Sequence, residues 1–294
     1  MGIEVALLVG GEILTADSMQ VYRLMDIGTA KPDMEEQKGI PHHLMDLVFP
    51  DEPFSVAMYQ CLARTKIEEV LARGAVPVMV GGTGLYIKSV VDSYDFIPVA
   101  PDPALRADLL SREAGAPGEL RRWLTDVDPA AAARIHPNDL RRTVRALEVY
   151  TQTGRPISVS WGATSLPYDV LSFGLTGPRE WLYRRIDRRV DNLIERGLAD
   201  EVRGLMKRGY TPDLPSMQGL GYKEMIPHIR GFASLEETRR LIALNTRRFA
   251  KRQYTWFRPD RRINWIDVGK PNGAEEAVEE IARVLGGRIR QFAE

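Results

Sequence analysis

A short strand that ends in polar residues limits the fold of this chain more than any other feature. Glu12 to Thr15 has the β-branched and apolar character of a short buried strand. It runs directly into Ala16-Asp17-Ser18-Met19-Gln20, which places an acid and hydrogen-bonding side chains at the carboxyl end of the strand. In an open parallel α/β sheet that edge binds ligands, so we predict a site at Asp17 and Ser18. Taken alone, Asp17-Ser18 also fits a helix N-cap or an Asx-turn.

Apolar runs next to glycines indicate further strands. Val5 to Val9 is a continuous apolar run typical of a central parallel strand, and Ala75 to Val80 is another. The second run is followed by Gly81-Gly82-Thr83-Gly84 and a predicted helix from Leu85 towards Val91. A strand, a glycine turn and a helix can direct backbone N–H groups at an anion. A tight turn also needs glycine for its geometry alone, so both interpretations stay open.

Helical patterns replace strands in the middle of the chain. From about residue 100 to residue 167 the composition shifts to Ala, Arg, Leu and Asp, and no clear strand is present. We predict helices over 104–113, 119–125, 130–134 and 139–151. Outside this interval we predict a helix from Ser55 to Arg73, a strand over 169–175, a helical stretch over 179–208 broken near Gly197, a helix after Ser234, a strand over 264–268 and a helix over 274–285. The predicted domains are therefore an α/β core of residues 1–99 and 168–294 and an inserted all-helical subdomain of residues 100–167.

Two basic segments are candidate nucleic-acid surfaces in a chain whose net charge is zero. Arg141, Arg142 and Arg145 crowd the start of a predicted helix, where cations oppose the helix dipole, which favours a bound polyanion over a solvated face. Between Thr238 and Arg262 only Asp260 opposes a run of arginines and lysines, and Tyr254, Trp256 and Phe257 are interleaved with them. This second segment predicts a surface for a phosphate backbone, the alternative being packing with solvated arginines.

Four segments resemble the tRNA dimethylallyltransferases, also called tRNA isopentenyltransferases or IPP transferases. They are Asp17-Ser-Met-Gln-Val-Tyr-Arg followed by Met25-Asp-Ile-Gly-Thr-Ala-Lys-Pro, Gly81-Gly-Thr-Gly-Leu-Tyr, Ile135-His-Pro-Asn-Asp-Leu-Arg-Arg-Thr-Val-Arg-Ala-Leu-Glu, and Ser216-Met-Gln-Gly-Leu-Gly-Tyr-Lys-Glu. The resemblance implies a P-loop-NTPase-like parallel sheet with a helical insertion that contacts the tRNA anticodon stem-loop. It also implies transfer of a dimethylallyl group from dimethylallyl diphosphate to the exocyclic amine of the adenosine on the 3′ side of the anticodon.

That reaction assigns roles to particular residues. The adenine amine is a poor nucleophile because its lone pair is delocalised, so a carboxylate that takes its proton is useful, and Asp17 is the candidate base. Thr83 is the second catalytic candidate, near the reacting amine or the bridging oxygen. The resemblance assigns tRNA binding to Asp17, Ser18, Met19, Gln20, Thr83, Arg106, Arg141, Arg142, Thr143, Val144, Arg145, Met217, Gln218, Gly219, Leu220, Gly221 and Tyr222. It assigns the diphosphate to Gly81, Gly82, Arg184 and Arg185, together with Mg²⁺ whose protein ligands it leaves unknown.

The chain departs from the family at Gly10-Gly11. Family members have a phosphate-binding loop, Gly-x-x-x-x-Gly-Lys-[Ser/Thr], and its helix before the Gly-Glu-Ile strand, and no segment of this sequence matches that pattern. Two glycines cannot connect two parallel strands, so we expect roughly twenty residues to be missing between Gly10 and Gly11. The alternative function is therefore a catalytically impaired tRNA-binding protein.

The composition bears on disulfides, membrane spans and cellular location. The single cysteine, Cys61, excludes an intramolecular disulfide. No run of 18 apolar residues indicates a membrane span, and Glu4 replaces the basic start of a secretory signal. We expect a soluble, cytoplasmic monomer.

Overall fold

The computed structural model describes residues 1–92, 94, 96–97, 99–161 and 168–293. These residues fall into two units. Unit 1 consists of Met1–Val90 and Asp169–Glu294, and unit 2 consists of Val91–Tyr168. The interval 100–167 predicted to be helical lies within unit 2.

Unit 1 is an α/β fold with short parallel sheets, as predicted. Strand β1 (Gly11–Ala16) lies between β2 (His42–His43) and β3 (Val76–Gly81), and all three are parallel. Strands β4 (Ser172–Thr176) and β5 (Ile263–Asp267) form a second parallel pair. Strand β1 is buried along most of its length, which is typical of a strand covered on both faces.

Helices make up most of the remaining chain. They are α1 (Gly2–Val9), α2 (Val56–Ala72), α3 (Gly84–Val91), α4 (Pro103–Gly115), α5 (Glu119–Val127), α6 (Pro129–Arg134), α7 (Leu140–Thr153), α8 (Arg179–Glu195), α9 (Leu198–Lys207), α10 (Tyr222–Ile229), α11 (Leu235–Phe257) and α12 (Gly273–Ala293). Caps fix the starts of two predicted helices: Ser55 accepts from the Met58 N–H, and Ser234 and Glu237 form a capping box. Within the described chain, no helix is both long and apolar enough to cross a membrane.

The prediction of a strand at Val5–Val9 is wrong, because this segment belongs to α1. Gly10 ends the helix in the left-handed conformation (φ 62°), and its N–H donates to the Ala6 carbonyl. A short apolar run cannot by itself distinguish a buried helix from a strand. Since a helix precedes β1, Gly10-Gly11 does not have to connect two parallel strands. The structural reason for placing a missing segment between these glycines is thereby removed.

In unit 2, every regular element among the described residues is helical. Helices α4 to α7 pack around a leucine-rich core. Three of them begin at an aspartate that caps the first turn, namely Asp102, Asp128 and Asp139. The caps define where these helices begin. All four predicted helices are present, with ends that differ from the prediction by no more than a few residues.

One carboxylate, Glu12, makes the stability of unit 1 depend on pH. Its Oε2 lies 2.8 Å from Arg73 Nη2 and 2.6 Å from His43 Nε2. Hydrogen bonds from Arg73 and His43 lower the pKa of Glu12 from 4.5 to about 2. A pKa lowered by folding gives stability that is complete above the unfolded value and is lost as the pH falls towards the folded value.

Replacing Glu12 by Gln is therefore expected to reduce the free energy of unfolding by about 1–2 kcal/mol at pH 7. At pH 3, where the unfolded carboxyl is protonated, the difference between variant and parent should be smaller. Urea unfolding at both pH values measures this, with Glu68→Gln on the exposed side of α2 as control. An equal difference at pH 7 and pH 3 would contradict the assignment.

Candidate active site

Asp17 follows β1 directly and lies in an Asx-turn. Its Oδ1 accepts a hydrogen bond from the Met19 N–H at 2.8 Å, so the local interpretation of this residue is confirmed. No described residue donates a hydrogen bond to the other carboxylate oxygen, Oδ2. The turn thus fixes the side chain through one oxygen and leaves the second able to accept a proton.

Thr83 and Ser18 join the loops that follow two neighbouring strands. Ala16 of β1 is in register with Gly81 of β3, and the Thr83 N–H donates to the Ala16 carbonyl at 3.1 Å. The Thr83 hydroxyl accepts from the Ser18 N–H at 2.9 Å and donates to the Ser18 hydroxyl at 3.3 Å. Asp17, Ser18 and Thr83 therefore lie together at the carboxyl edge of the sheet.

The glycines after β3 let α11 approach closely. Gln253 Nε2 donates to the Gly82 carbonyl at 3.2 Å. A Cβ on Gly82 would lie 2.0 Å from Gln253 Nε2, and one on Gly84 would lie 2.1 Å from Trp256 Nε1. Gly82 and Gly84 are therefore needed for the packing of α11 on this turn. Neither of the two interpretations of the glycine turn, anion binding or turn geometry, included this role.

Helix α8 brings Arg189 near Asp17. Arg189 interacts electrostatically with Asp17 and is accessible to solvent, yet enough protein surrounds it to lower its pKa. Arg185 lies one turn earlier on the same face of α8 and packs over the Trp181 ring. Arg184 is also exposed but points about 100° away around the helix. Helix spacing thus puts Arg185 on the side of α8 that carries Arg189.

The residues from Met217 to Tyr222 are mostly interior. Met217, Gly219, Gly221 and Tyr222 are buried, Leu220 is half-buried, and Gln218 is exposed. The Tyr222 hydroxyl donates to Glu201, whose carboxylate also accepts the N–H groups of Asp26, Ile27 and Gly28. This network anchors the loop that follows Asp17.

Met19 and Gln20 are also engaged within unit 1. A Cβ on Gly219 would lie 2.4 Å from Met19 Cε, so the Met19 side chain packs directly on that glycine. Gln20 Nε2 donates to the carbonyls of Thr29 and Ala30. The amide N–H groups of Gln20 thus hold its own loop, and its role in tRNA binding stays a prediction.

Replacing Gly28 by Ala is expected to destabilise the protein by about 1–3 kcal/mol, because the new Cβ would lie 2.4 Å from two ring carbons of the buried Tyr222. Thermal unfolding measures the effect. Gly204→Ala is the matched control, because Gly204 lies inside α9 with no atom near its Cβ position. The control should be neutral or stabilising by up to about 1 kcal/mol. Equal melting temperatures for Gly28→Ala and the parent would contradict this packing.

Unit 2 carries the arginines predicted to bind tRNA. Arg106, Arg141, Val144 and Arg145 line a cavity of about 540 Å³. Arg141 and Arg142 are exposed near the start of α7, and Arg142 lies 3.4 Å from the Asp139 carboxylate. Thr143 is buried and donates to the Asp139 carbonyl, so it supports the helix.

Comparison with known proteins identifies the family. The sequence model of the IPP transferase family matches residues 20–260. The chain belongs to the tRNA dimethylallyltransferase (IPP transferase) family. It is 53% identical to the tRNA dimethylallyltransferase of Symbiobacterium thermophilum, covering 97% of this chain and 90% of that protein. For the tRNA dimethylallyltransferase of Carboxydothermus hydrogenoformans the identity is 50%, with coverage of 97% and 93%.

Solved structures of the family have the same fold. The tRNA isopentenylpyrophosphate transferase of Bacillus halodurans matches with a TM-score of 0.73 at 40% identity, covering 99% of this chain and 92% of that chain. A eukaryotic dimethylallyltransferase, described as acting on tRNA, matches with a TM-score of 0.79 at 30% identity, covering 94% and 73%. The chain is accordingly a transferase of a tRNA-modifying family.

The IPP transferase motifs do not reveal the residues of α8 and α11 that support the site. Gln253 and Trp256 lie far from Gly82 in the sequence, and only the basic and aromatic composition of their helix marks them. The mixed charges of α8 predict a surface ion-pair lattice that would include Arg189. Arg184 and Arg188 repeat at the same spacing of four as Arg185 and Arg189, so the sequence does not show which of these faces lies near Asp17.

Several arginines of the basic segment form ion pairs with carboxylates of unit 1. Arg247 contacts both carboxylate oxygens of Asp187 and lies over the Tyr183 ring, and Arg239 pairs with Asp191. Arg262 pairs with Asp260. Carboxylates of α8 and of the loop after α11 thus neutralise these three side chains, and the prediction that the segment binds a phosphate backbone stays a prediction for its other cations. Lys251 and Arg252 remain exposed on α11.

Proposed function

We propose that this chain transfers a dimethylallyl group from dimethylallyl diphosphate to the exocyclic amine of the adenosine 3′-adjacent to the anticodon. One observation carries the proposal: Asp17 keeps a carboxylate oxygen open beside the Ser18 and Thr83 hydroxyls at the sheet edge, in a chain that belongs to this family. Such an edge is where α/β folds bind ligands. A tRNA substrate supports a cytoplasmic location. We expect the chain to act as a monomer.

In the proposed reaction, Asp17 is the general base. The adenine nitrogen forms a bond to the terminal methylene carbon of the dimethylallyl group while the bond from that carbon to the diphosphate oxygen breaks. The amine proton passes to Asp17 Oδ2, and both bonding electrons of the broken bond leave with the diphosphate. The adenosine has to leave the anticodon stack to reach this carboxylate. Thr83, whose hydroxyl is held by Ser18, is placed to hydrogen-bond the amine or the bridging oxygen.

The leaving diphosphate needs positive charge and N–H donors. Gly81 and Gly82 precede α3, Arg189 interacts electrostatically with Asp17, and Arg185 lies one helical turn from Arg189, which supports these four residues as the diphosphate site. We keep Arg184 as a weaker candidate because it points away from the side of α8 that carries Arg185 and Arg189. The sequence contains no Gly-x-x-x-x-Gly-Lys-[Ser/Thr] segment. In the proposed P-loop-like core, the turn after β3 is a candidate source of N–H donors.

Mg²⁺ fits this arrangement. Among the described residues, no group of three or more His, Cys, Asp or Glu side chains could hold a metal ion. Mg²⁺ commonly binds one or two protein oxygens together with substrate phosphates and water. The hydroxyl oxygens of Ser18 and Thr83, 3.3 Å apart, are suitable hard donors beside the diphosphate. When bound, the ion would neutralise charge on the leaving group.

For tRNA binding we propose Arg106, Arg141, Arg142 and Arg145 in unit 2 and Gln218 with Leu220 in unit 1. Arg141, Arg142 and Gln218 are exposed and Arg106, Arg145 and Leu220 are half-buried, so all six have surface for direct contact. The buried Met217 and Tyr222 would act by holding their segment in place. The buried Thr143 would likewise act by supporting the start of α7.

The proposal is tested by incubating the protein with an anticodon stem-loop RNA, dimethylallyl diphosphate and Mg²⁺, and then identifying the nucleosides by mass spectrometry. We expect dimethylallyl-adenosine from RNA that carries adenosine 3′ to the anticodon, and none from RNA with guanosine there. Modification of both RNAs, or of neither, would overturn the proposed reaction.

A further inference from the structure

A buried carboxylate accepts hydrogen bonds from two arginines of unit 2, Arg106 and Arg145. Glu148 of α7 is fully buried. Its Oε1 accepts from the Asp102 N–H and from Arg106 Nε, both at 2.8 Å. Its Oε2 accepts from Arg106 Nη2 at 2.9 Å and from Arg145 Nη1 at 2.6 Å. Burial opposes its ionisation, but these hydrogen bonds outweigh burial and lower the pKa of Glu148 from 4.5 to about 2.

Arg106 and Arg145, which bind Glu148, also line the cavity of unit 2. Its lining residues are Arg106, Leu110, Leu140, Arg141, Val144 and Arg145. The side chains of Arg106 and Arg145 are 40% and 34% exposed. Arg106 binds Glu148 through one edge of its guanidinium, and its Nη1 donates to no described residue. Arg145 is also held by the Val99 carbonyl. Hydrogen bonds to Glu148 therefore fix both guanidinium groups, while part of each arginine side chain stays accessible to solvent.

A fixed guanidinium binds an anion better than a mobile one. A free arginine loses conformational freedom when it binds, and prior orientation removes part of that cost. The cavity combines oriented N–H donors with apolar walls, which suits an RNA phosphate and the sugar or base beside it.

We propose that Glu148 is a positioning residue for tRNA binding, whose buried carboxylate holds Arg106 and Arg145 in the orientation that receives an RNA phosphate. This inference rests on the proposed function. Glu148 touches no RNA in this arrangement and acts entirely through the two arginines.

Glu148→Gln tests the inference because charge alone and positioning predict opposite results. Removing a negative charge beside a phosphate site should tighten RNA binding on electrostatic grounds. Positioning instead predicts that KM for the anticodon stem-loop rises roughly 5–20-fold, with kcat at saturating RNA and KM for dimethylallyl diphosphate unchanged. The slope of log affinity against log salt should fall by about 0.7–0.9 for each phosphate that the arginines no longer neutralise.

Glu119→Gln is the matched control. Glu119 pairs with Arg112 in the same unit, carries the same charge and does not line the cavity. It should leave KM for the RNA at the parental value.

RNA binding by Glu148→Gln that equals or exceeds that of the parent would overturn the inference. A lowered melting temperature and kcat with an unchanged KM would also overturn it, since that pattern indicates a purely structural role. If Glu148→Gln does not fold, Glu148→Asp decides: it keeps the charge and both arginines, but its shorter side chain cannot hold the same hydrogen bonds, so a raised KM for the RNA supports positioning and a parental KM refutes it. Failure of the proposed function would appear separately, as a parent protein that neither binds nor modifies the RNA.

Discussion

Replacing Asp17 by Asn is expected to lower kcat for dimethylallyl transfer by about 10²–10⁴-fold, the contribution typical of a general base. Asparagine retains an oxygen that accepts the Met19 N–H, so the Asx-turn persists while the proton acceptor is lost. Affinity for tRNA should change less than about threefold, because proton transfer occurs only in the transition state. Single-turnover transfer and equilibrium RNA binding, measured on the same preparation, separate the two effects.

Asp51→Asn is the control for this experiment, because Asp51 is an exposed carboxylate in the same unit. It should leave both kcat and affinity at the parental values. A fall in RNA affinity that accounts for the whole loss of rate in Asp17→Asn would show that Asp17 binds RNA without acting as the base.

Reversing the charges of Lys251 and Arg252 to Glu is expected to weaken binding of an anticodon stem-loop by about 10–100-fold at low salt, since phosphate contacts dominate such affinities. Both side chains are exposed on α11. Arg247 is not a suitable target, because its ion pair with Asp187 supports the packing of α11 on α8. The effect should be similar for stem-loops of different sequence and should decrease as salt rises.

Lys207→Glu with Arg208→Glu is the matched control. This pair is also an adjacent, exposed lysine and arginine, and its reversal changes the net charge equally. If both double variants weaken RNA binding to the same extent, net charge explains the result and α11 is not a specific RNA surface.

Local signals in the sequence predicted local structure well. Ser55 and Gly74 bound α2, and the Ser234–Glu237 box starts α11, because caps depend on residues a few positions apart. The meeting of Asp17 with Thr83 was also predictable, since both follow strands of one parallel sheet. The strand predicted at Val5–Val9 is wrong because length and hydrophobicity do not distinguish a short helix from a strand.

Contacts between distant segments could not be read from the sequence. Nothing next to Glu148 in the sequence shows that Arg106, on another helix, completes its hydrogen bonds. The same is true of Gln253 on Gly82 and of Arg189 near Asp17. The burial of Tyr222 likewise depends on Glu201 and Gly28, so a glycine-rich motif that resembled an RNA-binding element is largely a packing element.

The most direct test of the account is transfer of a labelled dimethylallyl group to an anticodon stem-loop by this chain without any added segment. The account predicts RNA carrying the label at one adenosine, formed by the parent protein and nearly absent with Asp17→Asn. Tight RNA binding by the parent with no transfer of label would contradict it and would favour a catalytically impaired tRNA-binding protein.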